Sequence, residues 1–273
     1  MKKFEHCILY SDMDGTLLNR EGVVSEENIK AIQYFVEEGG CFGVATGRSQ
    51  LNSLMFIEDL PVNLPCILYN GCAVYDFNKH QFLKMEELKK EGLGLFLQQV
   101  MLKYSKISIQ IYSSDMCHFI TKEEQADPYH VESHQPCEFT SLDAIRSIPW
   151  IKILFSGHME DLKTMNAEML ERGLQNEIDY VYSSNIYLEY LPKGVSKGSA
   201  LRYIREQMGN QYEFYAVGDY DNDLEMLEVA DCGIAMGNAV PRLKEIANLV
   251  TVDHNDHAME DIIYRIIENG CSC

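Results

Sequence analysis

The chain has 273 residues, with 23 Lys and Arg against 42 Asp and Glu, and therefore a formal net charge of −19 at pH 7. This length accommodates one large domain or two smaller ones. The acidic excess argues against proteins that bind nucleic acids or anionic membrane surfaces, because both functions need clustered Lys and Arg. Hydrophobic residues make up 46% of the chain, which is enough for a core and too many for a disordered protein.

Apolar runs in the chain are short and the cysteines are scattered. No apolar stretch approaches the roughly 18 residues that span a bilayer, and residues 1–10 are typical of a first strand rather than a signal peptide. The nine cysteines, spread from Cys7 to Cys273, are more typical of reduced thiols than of a disulfide framework. We therefore expect a cytoplasmic protein without a nucleic-acid or membrane partner. The sequence does not predict an oligomeric state.

Short apolar runs alternate with helical patterns over the first 80 residues. Strands are predicted at 6–11, 41–45 and 66–69, and helices at 25–39 and 49–60. The same alternation returns near the end, with helices at 197–208, 224–230 and 259–267 and strands at 214–217, 233–236 and 249–252. Such alternation is typical of a parallel sheet with both faces covered, in an α/β fold.

The middle of the chain has a different pattern. Paired strands are predicted at 107–112 with 117–121 and at 178–182 with 186–191, beside a strand at 151–155 and a helix at 160–172. Paired strands with longer helices predict an antiparallel α+β unit, which we place at residues 85–191. Residues 1–84 and 192–273 then form the α/β domain into which this unit is inserted.

Three predicted strands run directly into polar residues. Asp12-Met13-Asp14 follows the first strand, Thr46-Gly47-Arg48 follows the second, and the segment from Gly218 to Asp223 follows the strand at 214–217. Because sites in open parallel sheets form beyond the carboxyl ends of the strands, we expect these segments to converge.

Four carboxylates are expected in this site. Asp12 and Asp14 lie on the same side of an extended segment, and Asp219 and Asp223 are four residues apart where a helix begins. Clustered carboxylates repel unless a cation neutralises them or one stays protonated, and oxygen-only ligands suit Mg²⁺. The alternative interpretation is structural, since Asp-Gly and Asn-Asp pairs are common in turns and helix caps.

Together these segments resemble the motifs of the haloacid dehalogenase (HAD) superfamily. Residues 12–17 resemble its first motif, 45–48 the second, 192–198 the third and 218–223 the fourth, acidic one. The insertion between the second and third motifs resembles the class IIB cap of the Cof-type phosphatases. The resemblance covers about residues 5–82 and 190–268. It implies a Rossmann-like three-layer parallel-sheet core with an inserted α+β cap at 85–191 that sets substrate specificity.

The resemblance also implies a Mg²⁺-dependent phosphatase that forms an aspartyl phosphate. Asp12 would be the nucleophile, and Asp14 the general acid and base. The metal residues would be Asp12, Asp14 through its backbone carbonyl, Asp219 and, behind these, Asp223. The residues that bind phosphate or substrate would be Met13, Thr46, Gly47, Lys197 and Asn222. Asn222 could orient Asp14, the phosphate or a metal-bound water, and Arg48 would pair with a core carboxylate rather than bind substrate.

The leading hypothesis is hydrolysis of small phosphorylated metabolites, with sugar phosphates first and nucleotides or cofactor phosphates after them. One alternative is a phosphomutase of the same superfamily, although mutases often carry a small helical cap. A second is a non-enzymatic protein that accepts a phosphoryl group or binds a phosphorylated ligand, although signalling domains of that kind are about half this length. The sequence does not identify the leaving group or the cap residues that select it.

Three histidine or cysteine pairs have spacings that invite a metal-site interpretation. They are His130 with His134, His254 with His257, and Cys271 with Cys273. We interpret all three as solvated loop or tail residues rather than as transition-metal ligands.

Overall fold

The computed structural model describes residues 2–127 and 136–267, with side chains to residue 264. His130, His134, Cys271 and Cys273 lie outside the described residues.

The described elements alternate between strands and helices over most of the chain. The strands are β1 (Cys7–Ser11), β2 (Cys41–Val44), β3 (Cys66–Leu68), β4 (Ala73–Asp76), β5 (Gln81–Met85), β6 (Ser108–Tyr112), β7 (Cys117–Phe119), β8 (Cys137–Phe139), β9 (Lys152–Ser156), β10 (Ile178–Ser184), β11 (Tyr187–Pro192), β12 (Glu213–Gly218), β13 (Cys232–Ala235) and β14 (Leu249–Val250). The helices are α1 (Glu26–Glu37), α2 (Gln50–Ile57), α3 (Leu93–Lys103), α4 (Met159–Glu171), α5 (Lys197–Met208), α6 (Leu224–Val229), α7 (Pro241–Ile246) and α8 (Ala258–Asp261).

The chain divides into two compact units, of which the first comprises Met1–Lys84 and Ser196–Cys273. Its centre is a parallel five-stranded sheet with the strand order β14-β13-β12-β1-β2. A parallel bridge between Ala45 and Ile67 continues this sheet towards β3. The strands are short, apolar and almost entirely buried, as the alternating sequence pattern predicts.

Local signals explain where the first two helices begin. The Ser25 hydroxyl accepts from the Asn28 N–H (3.3 Å) at the start of α1, and the Ser49 hydroxyl accepts from the Asn52 N–H (3.1 Å) at the start of α2. At the end of α1 the chain turns at Gly39, whose φ of 96° lies in the left-handed region that favours glycine.

The second unit, Met85–Val195, contains a six-stranded sheet with the order β10-β11-β9-β6-β7-β8. All of its pairings are antiparallel except β7 with β8. One face of the sheet packs with α3 and α4 in an apolar core that includes Leu97, Trp150, Ile153, Met165 and Tyr190. The two predicted strand pairs are therefore antiparallel, as the sequence indicates.

Several elements differ from the sequence prediction. The sequence prediction did not include helix α3 or the strands β4 and β5. Gly92 precedes the helix, Gly94 lies in its first turn, and the strand pair follows a turn signal at 70–71. The predicted helix at 259–267 is α-helical only in α8 and continues as a π-helix over Ile262–Ile267.

The described part of the chain contains no helix long and apolar enough to cross a membrane. Cys7, Cys41, Cys66, Cys72, Cys117 and Cys137 are free thiols. Cys232 is disulfide-bonded, so the expectation of reduced cysteines is wrong for this residue.

The core of the second unit can be tested by a matched pair of substitutions in α3. Leu97 is fully buried, whereas Leu102 is 88% exposed. Leu97→Ala should lower the free energy of unfolding in urea by about 2–5 kcal/mol, because it removes buried methyl groups and leaves a cavity. Leu102→Ala should change it by less than about 0.5 kcal/mol. Equal effects of the two substitutions would contradict this packing.

Candidate active site

Three neighbouring parallel strands end together at one edge of the five-stranded sheet. The register pairs Ser11 at the end of β1 with Val217 of β12 and Val44 of β2. The ladder continues for one more residue, because the Asp12 N–H donates to the Val217 carbonyl (2.9 Å) and the Ala45 N–H donates to the Ser11 carbonyl (2.8 Å). The hydrogen bonds that build the sheet therefore also fix the backbone of Asp12.

The ammonium group of Lys197 joins the first and fourth of the predicted motifs. Its Nζ donates to Asp12 Oδ1 (2.5 Å) and to Asp223 Oδ1 (2.6 Å). Lys197 is the first residue of α5, whose start is capped by the Ser196 hydroxyl accepting from the Ser199 N–H (2.9 Å). The lysine side chain is 0% exposed, so both ion pairs are shielded from water.

Burial and charge act in opposite directions on this lysine. Burial disfavours the ammonium form, but Asp12 and Asp223 outweigh it and raise the pKa of Lys197 above its ordinary value. Burial also raises the pKa of Asp12 well above its ordinary value. Lys197 opposes that rise, whereas the carboxylates of Asp223 and Asp219 add to it. Lys197 therefore faces more negative charge than it can neutralise alone.

Asp223 is held by the turn in which it lies. Its Oδ2 accepts from the backbone N–H groups of Asp219 (3.0 Å) and Tyr220 (3.2 Å), and its Oδ1 accepts from Lys197. A Cβ at Gly218 would lie 2.3 Å from Asp223 Cγ, so only glycine fits there. Both carboxylate oxygens of Asp223 thus have protein partners.

Three carboxylates form a candidate metal centre. One oxygen from each of Asp12, Asp219 and Asp223 lies within 4.8 Å of the others. Asp219 Oδ1 accepts from the Thr16 hydroxyl (3.3 Å), and burial followed by the charge of Asp223 raises the pKa of Asp219 to about 7. A buried, oxygen-only site with excess negative charge fits a hard divalent cation such as Mg²⁺.

The side chain of Asp14 is paired with Arg48. Arg48 Nη2 donates to Asp14 Oδ1 (2.7 Å) and Arg48 Nε donates to Asp14 Oδ2 (2.8 Å), in the bidentate geometry that this pair favours. Arg48 also donates to Asn52 Oδ1 (3.1 Å), and its guanidinium carbon lies 4.5 Å from the centre of the Phe56 ring. Arg48 therefore pairs with a carboxylate of the α/β core domain, as expected, and that carboxylate is the 57% exposed one of Asp14.

Thr46, Gly47 and Met13 occupy the loops beside this ion pair. Thr46 is fully buried, and its Oγ1 accepts from the Arg48 N–H (3.2 Å), which leaves the hydroxyl hydrogen to donate. A Cβ at Gly47 would lie 3.1 Å from Asn70 Nδ2, so this loop passes close to Asn70. The Met13 side chain is fully buried in the core, so any contact of Met13 with phosphate would come from its backbone.

Asn222 contacts a residue that sequence reasoning missed. Asn222 Nδ2 donates to Asn70 Oδ1 (3.0 Å). Asn70 stands after β3 in an Asn-Gly pair, which is also an ordinary turn signal, so the sequence alone does not distinguish it. Asn238 was missed as well, and its Nδ2 donates to the Gly15 carbonyl (2.8 Å) and lies 3.5 Å from Asp219 Oδ2.

The histidines at 254 and 257 have separate partners. His254 Nδ1 lies 2.9 Å from the Leu18 carbonyl oxygen, and His257 Nδ1 lies 3.0 Å from the Ser25 hydroxyl. Each side chain thus joins its loop to a different part of the first unit.

Comparison with known proteins agrees with this arrangement. The family model of the haloacid dehalogenase-like hydrolases matches residues 9–263. The chain belongs to this family. The predicted HAD family is therefore confirmed, and the chain is an enzyme of the HAD-type phosphatase family.

Relatives of this HAD chain include two named phosphatases. An HMP-PP phosphatase of Serratia proteamaculans (strain 568) is 30% identical over 240 residues, covering 86% of this chain and 85% of the relative. A 5-amino-6-(5-phospho-D-ribitylamino)uracil phosphatase of Bacillus subtilis (strain 168) is 28% identical over 285 residues, covering 94% and 96%.

A solved structure described as a sugar phosphatase of HAD subclass IIB has a TM-score of 0.80 at 18% identity, covering 94% of this chain and 98% of that one. At that identity the likeness concerns the fold alone. It confirms the predicted fold class, an α/β parallel-sheet core of HAD type with a cap. The roles of individual residues stay predictions.

The ion pairs of Lys197 should be essential for stability. Lys197→Met should lower the free energy of unfolding by about 3–5 kcal/mol at neutral pH without added metal, because it leaves two buried carboxylates unpaired. Lys30→Met is the control, since Lys30 is 69% exposed in a surface pair and should contribute less than about 1 kcal/mol. Urea denaturation followed by circular dichroism measures both, and a Lys197→Met protein as stable as the control variant would contradict a stabilising role for these ion pairs.

The carboxylate cluster should respond to Mg²⁺. Adding MgCl₂ after EDTA should raise the melting temperature, because a ligand that binds only the folded state stabilises it. Asp219→Asn should raise the melting temperature in EDTA by relieving repulsion, and should reduce the increase that Mg²⁺ produces. Asp256→Asn, at an exposed carboxylate, should behave like the unmodified protein. If Asp219→Asn retained the full Mg²⁺ effect, the cluster would not be the metal centre.

Proposed function

We propose that this HAD-family enzyme is a Mg²⁺-dependent phosphatase that hydrolyses small phosphorylated metabolites through an aspartyl phosphate. The observation that carries the proposal is the buried Lys197, which is shared by Asp12 and Asp223; these two carboxylates and that of Asp219 have oxygens within 4.8 Å of one another. Hydrolysis of phosphate monoesters without a catalyst is extremely slow, so a positioned nucleophile and concentrated charge are both needed.

In the first step, an Asp12 oxygen attacks phosphorus and the bond from phosphorus to the ester oxygen breaks. The departing alkoxide takes a proton from Asp14. In the second step, water attacks the aspartyl phosphate and gives its proton to Asp14. The bond from phosphorus to Asp12 then breaks, which releases inorganic phosphate and restores the Asp12 carboxylate.

Lys197 serves both Asp12 and the phosphate. An ammonium group has three N–H donors, of which Asp12 and Asp223 take two. The third can donate to a phosphate oxygen, so Lys197 would hold the nucleophile and the substrate in one geometry. The Thr46 hydroxyl, the backbone of Met13 and Gly47, and the Asn222 side chain would complete the phosphate site.

Asp12, Asp219 and the Asp14 carbonyl would hold Mg²⁺, with Asp223 behind them. When bound, Mg²⁺ supplies positive charge that offsets the carboxylates and stabilises negative charge on the phosphoryl oxygens. Arg48 holds both oxygens of the Asp14 carboxylate, and this contact would have to open on one side for an Asp14 oxygen to carry the proton that the alkoxide takes.

We propose a class of substrates rather than a single compound. Sugar phosphates come first, and nucleotides or cofactor phosphates follow; the name of one relative describes a substrate in which a phosphoribityl group is joined to a uracil. We propose that residues 85–191 select among such substrates. The cytoplasmic location stays a prediction from the sequence.

The nucleophile assignment can be tested with p-nitrophenyl phosphate. The purified protein should hydrolyse it with Mg²⁺ and not with EDTA, and Asp12→Asn should reduce kcat to background because the amide is a poor nucleophile. Asp143→Asn, at a side chain that is 77% exposed in the second unit, should leave kcat unchanged. Substantial turnover by folded Asp12→Asn would remove Asp12 from this role.

A further inference from the structure

The chain takes an unusual backbone conformation directly after β3. Tyr69, Asn70 and Gly71 all have positive φ, at 52°, 55° and 100°. Glycine adopts such angles readily, but a tyrosine followed by an asparagine in this region has a strained backbone. Residues held in this way persist only where the surrounding structure enforces them.

The enforcing contacts come from two of the proposed phosphate-binding segments. The Asn70 N–H donates to the Thr46 carbonyl (3.0 Å), and the Tyr69 N–H donates to the Arg48 carbonyl (3.0 Å). On the other side, a Cβ at Gly71 would lie 2.0 Å from the Ser196 carbonyl oxygen and 2.9 Å from the Lys197 nitrogen. The turn at residues 69–71 is thus in contact with the Thr46 loop on one side and with the start of α5, which carries Lys197, on the other.

This backbone conformation places the side-chain amide of Asn70 beside two further segments of the site, those of Asn222 and Gly47. Its Oδ1 accepts from Asn222 Nδ2 (3.0 Å), and its Nδ2 is the atom that a Cβ at Gly47 would approach to 3.1 Å. Asn70 is 1% exposed, and among the described residues its Nδ2 has no hydrogen-bond partner. Asn222 Oδ1 is likewise buried without a partner in the described part of the chain.

The two paired amides leave one NH₂ group, Asn70 Nδ2, and one acceptor, Asn222 Oδ1, without partners among the described residues. A buried donor without a partner destabilises the folded state, and this penalty adds to that of the backbone strain. Asn70 therefore has both a strained backbone and a buried donor without a partner, and it lies beside Gly47 and Asn222. A phosphate oxygen brought to this position would satisfy the donor.

We propose that Asn70 is a further phosphate-binding residue, whose Nδ2 donates to an oxygen of the phosphoryl group. This inference rests on the proposed phosphatase function. The site contains Asp12, Asp14, Asp219 and Asp223, so a dianionic ligand meets strong repulsion there. A neutral, preorganised amide donor attracts the phosphoryl oxygens without adding a charge that would compete with Lys197 or Mg²⁺ for the carboxylates.

Two substitutions separate direct binding from support of Asn222. Asn70→Asp keeps the shape and the acceptor for Asn222 but replaces the donor with a carboxylate oxygen. Asn70→Gly removes the amide and suits a positive φ better than asparagine does. If Nδ2 contacts phosphate, both should raise the Kd of inorganic phosphate, measured by titration calorimetry with Mg²⁺, by about tenfold or more, with Asn70→Asp the more severe. If Asn70 acts only by holding Asn222, Asn70→Gly should weaken phosphate binding no more than Asn222→Ala does, and the proposal fails.

A double substitution covers the case in which Asn70→Asp does not fold. In an Asn222→Ala background, Asn70→Gly should weaken phosphate binding by a further factor of about ten. No further loss would mean that Asn70 acts through Asn222 and would overturn the proposal. Asn28→Asp is the matched control, because Asn28 is equally buried but its Oδ1 accepts from the Met259 N–H (2.9 Å), so phosphate affinity should not change.

Failure of this inference is distinguishable from failure of the proposed function. If the unmodified protein neither hydrolyses p-nitrophenyl phosphate nor binds inorganic phosphate, the phosphatase function is wrong and the inference falls with it. If the unmodified protein does both, and the folded Asn70 variants bind phosphate equally well, the function stands and Asn70 is only structural.

Discussion

The two ion pairs of Lys197 are the interactions on which the rest of the site depends. Lys197 lies where the end of β1, the turn after β12 and the start of α5 meet, and it holds a carboxylate from each of the first two segments. Without its charge, Asp12 and Asp223 would face each other and Asp219 in a buried setting. The positive charge of Lys197 allows these carboxylates to be buried. In the proposed function the same charge would bind the phosphate.

Much of this arrangement could be predicted from the sequence, because strand ends and polar residues are local signals. The apolar runs that become β1, β2 and β12 stop immediately before Asp12, Thr46 and Asp219, and the parallel register then brings those ends together. The carboxylates could therefore be identified from residue type and spacing, whereas Lys197 was identified only through the family resemblance. The family resemblance supplied their roles, which geometry alone does not assign.

The parts that could not be predicted depend on contacts between residues distant in sequence. The role proposed for Asn70 depends on its contact with Asn222, which is 152 residues away, and on a strained backbone. Neither feature can be predicted from the sequence, in which Asn70 and Gly71 indicate only a turn. The individual partner of Arg48 could not be predicted for a similar reason. A guanidinium after a strand indicates a nearby carboxylate, but only the folded chain shows that the carboxylate is that of Asp14.

The complete burial of Lys197 has a consequence for the chemistry of the whole chain. Reagents that acylate amines need a neutral, accessible nitrogen, and this one is neither, because its side chain is 0% exposed and its carboxylate partners retain its proton. Most other lysines offer their amines to solvent. Covalent labelling at Lys197 would thus report that the first unit has opened, and the lysine that pairs with Asp12 would serve as an internal sensor of unfolding.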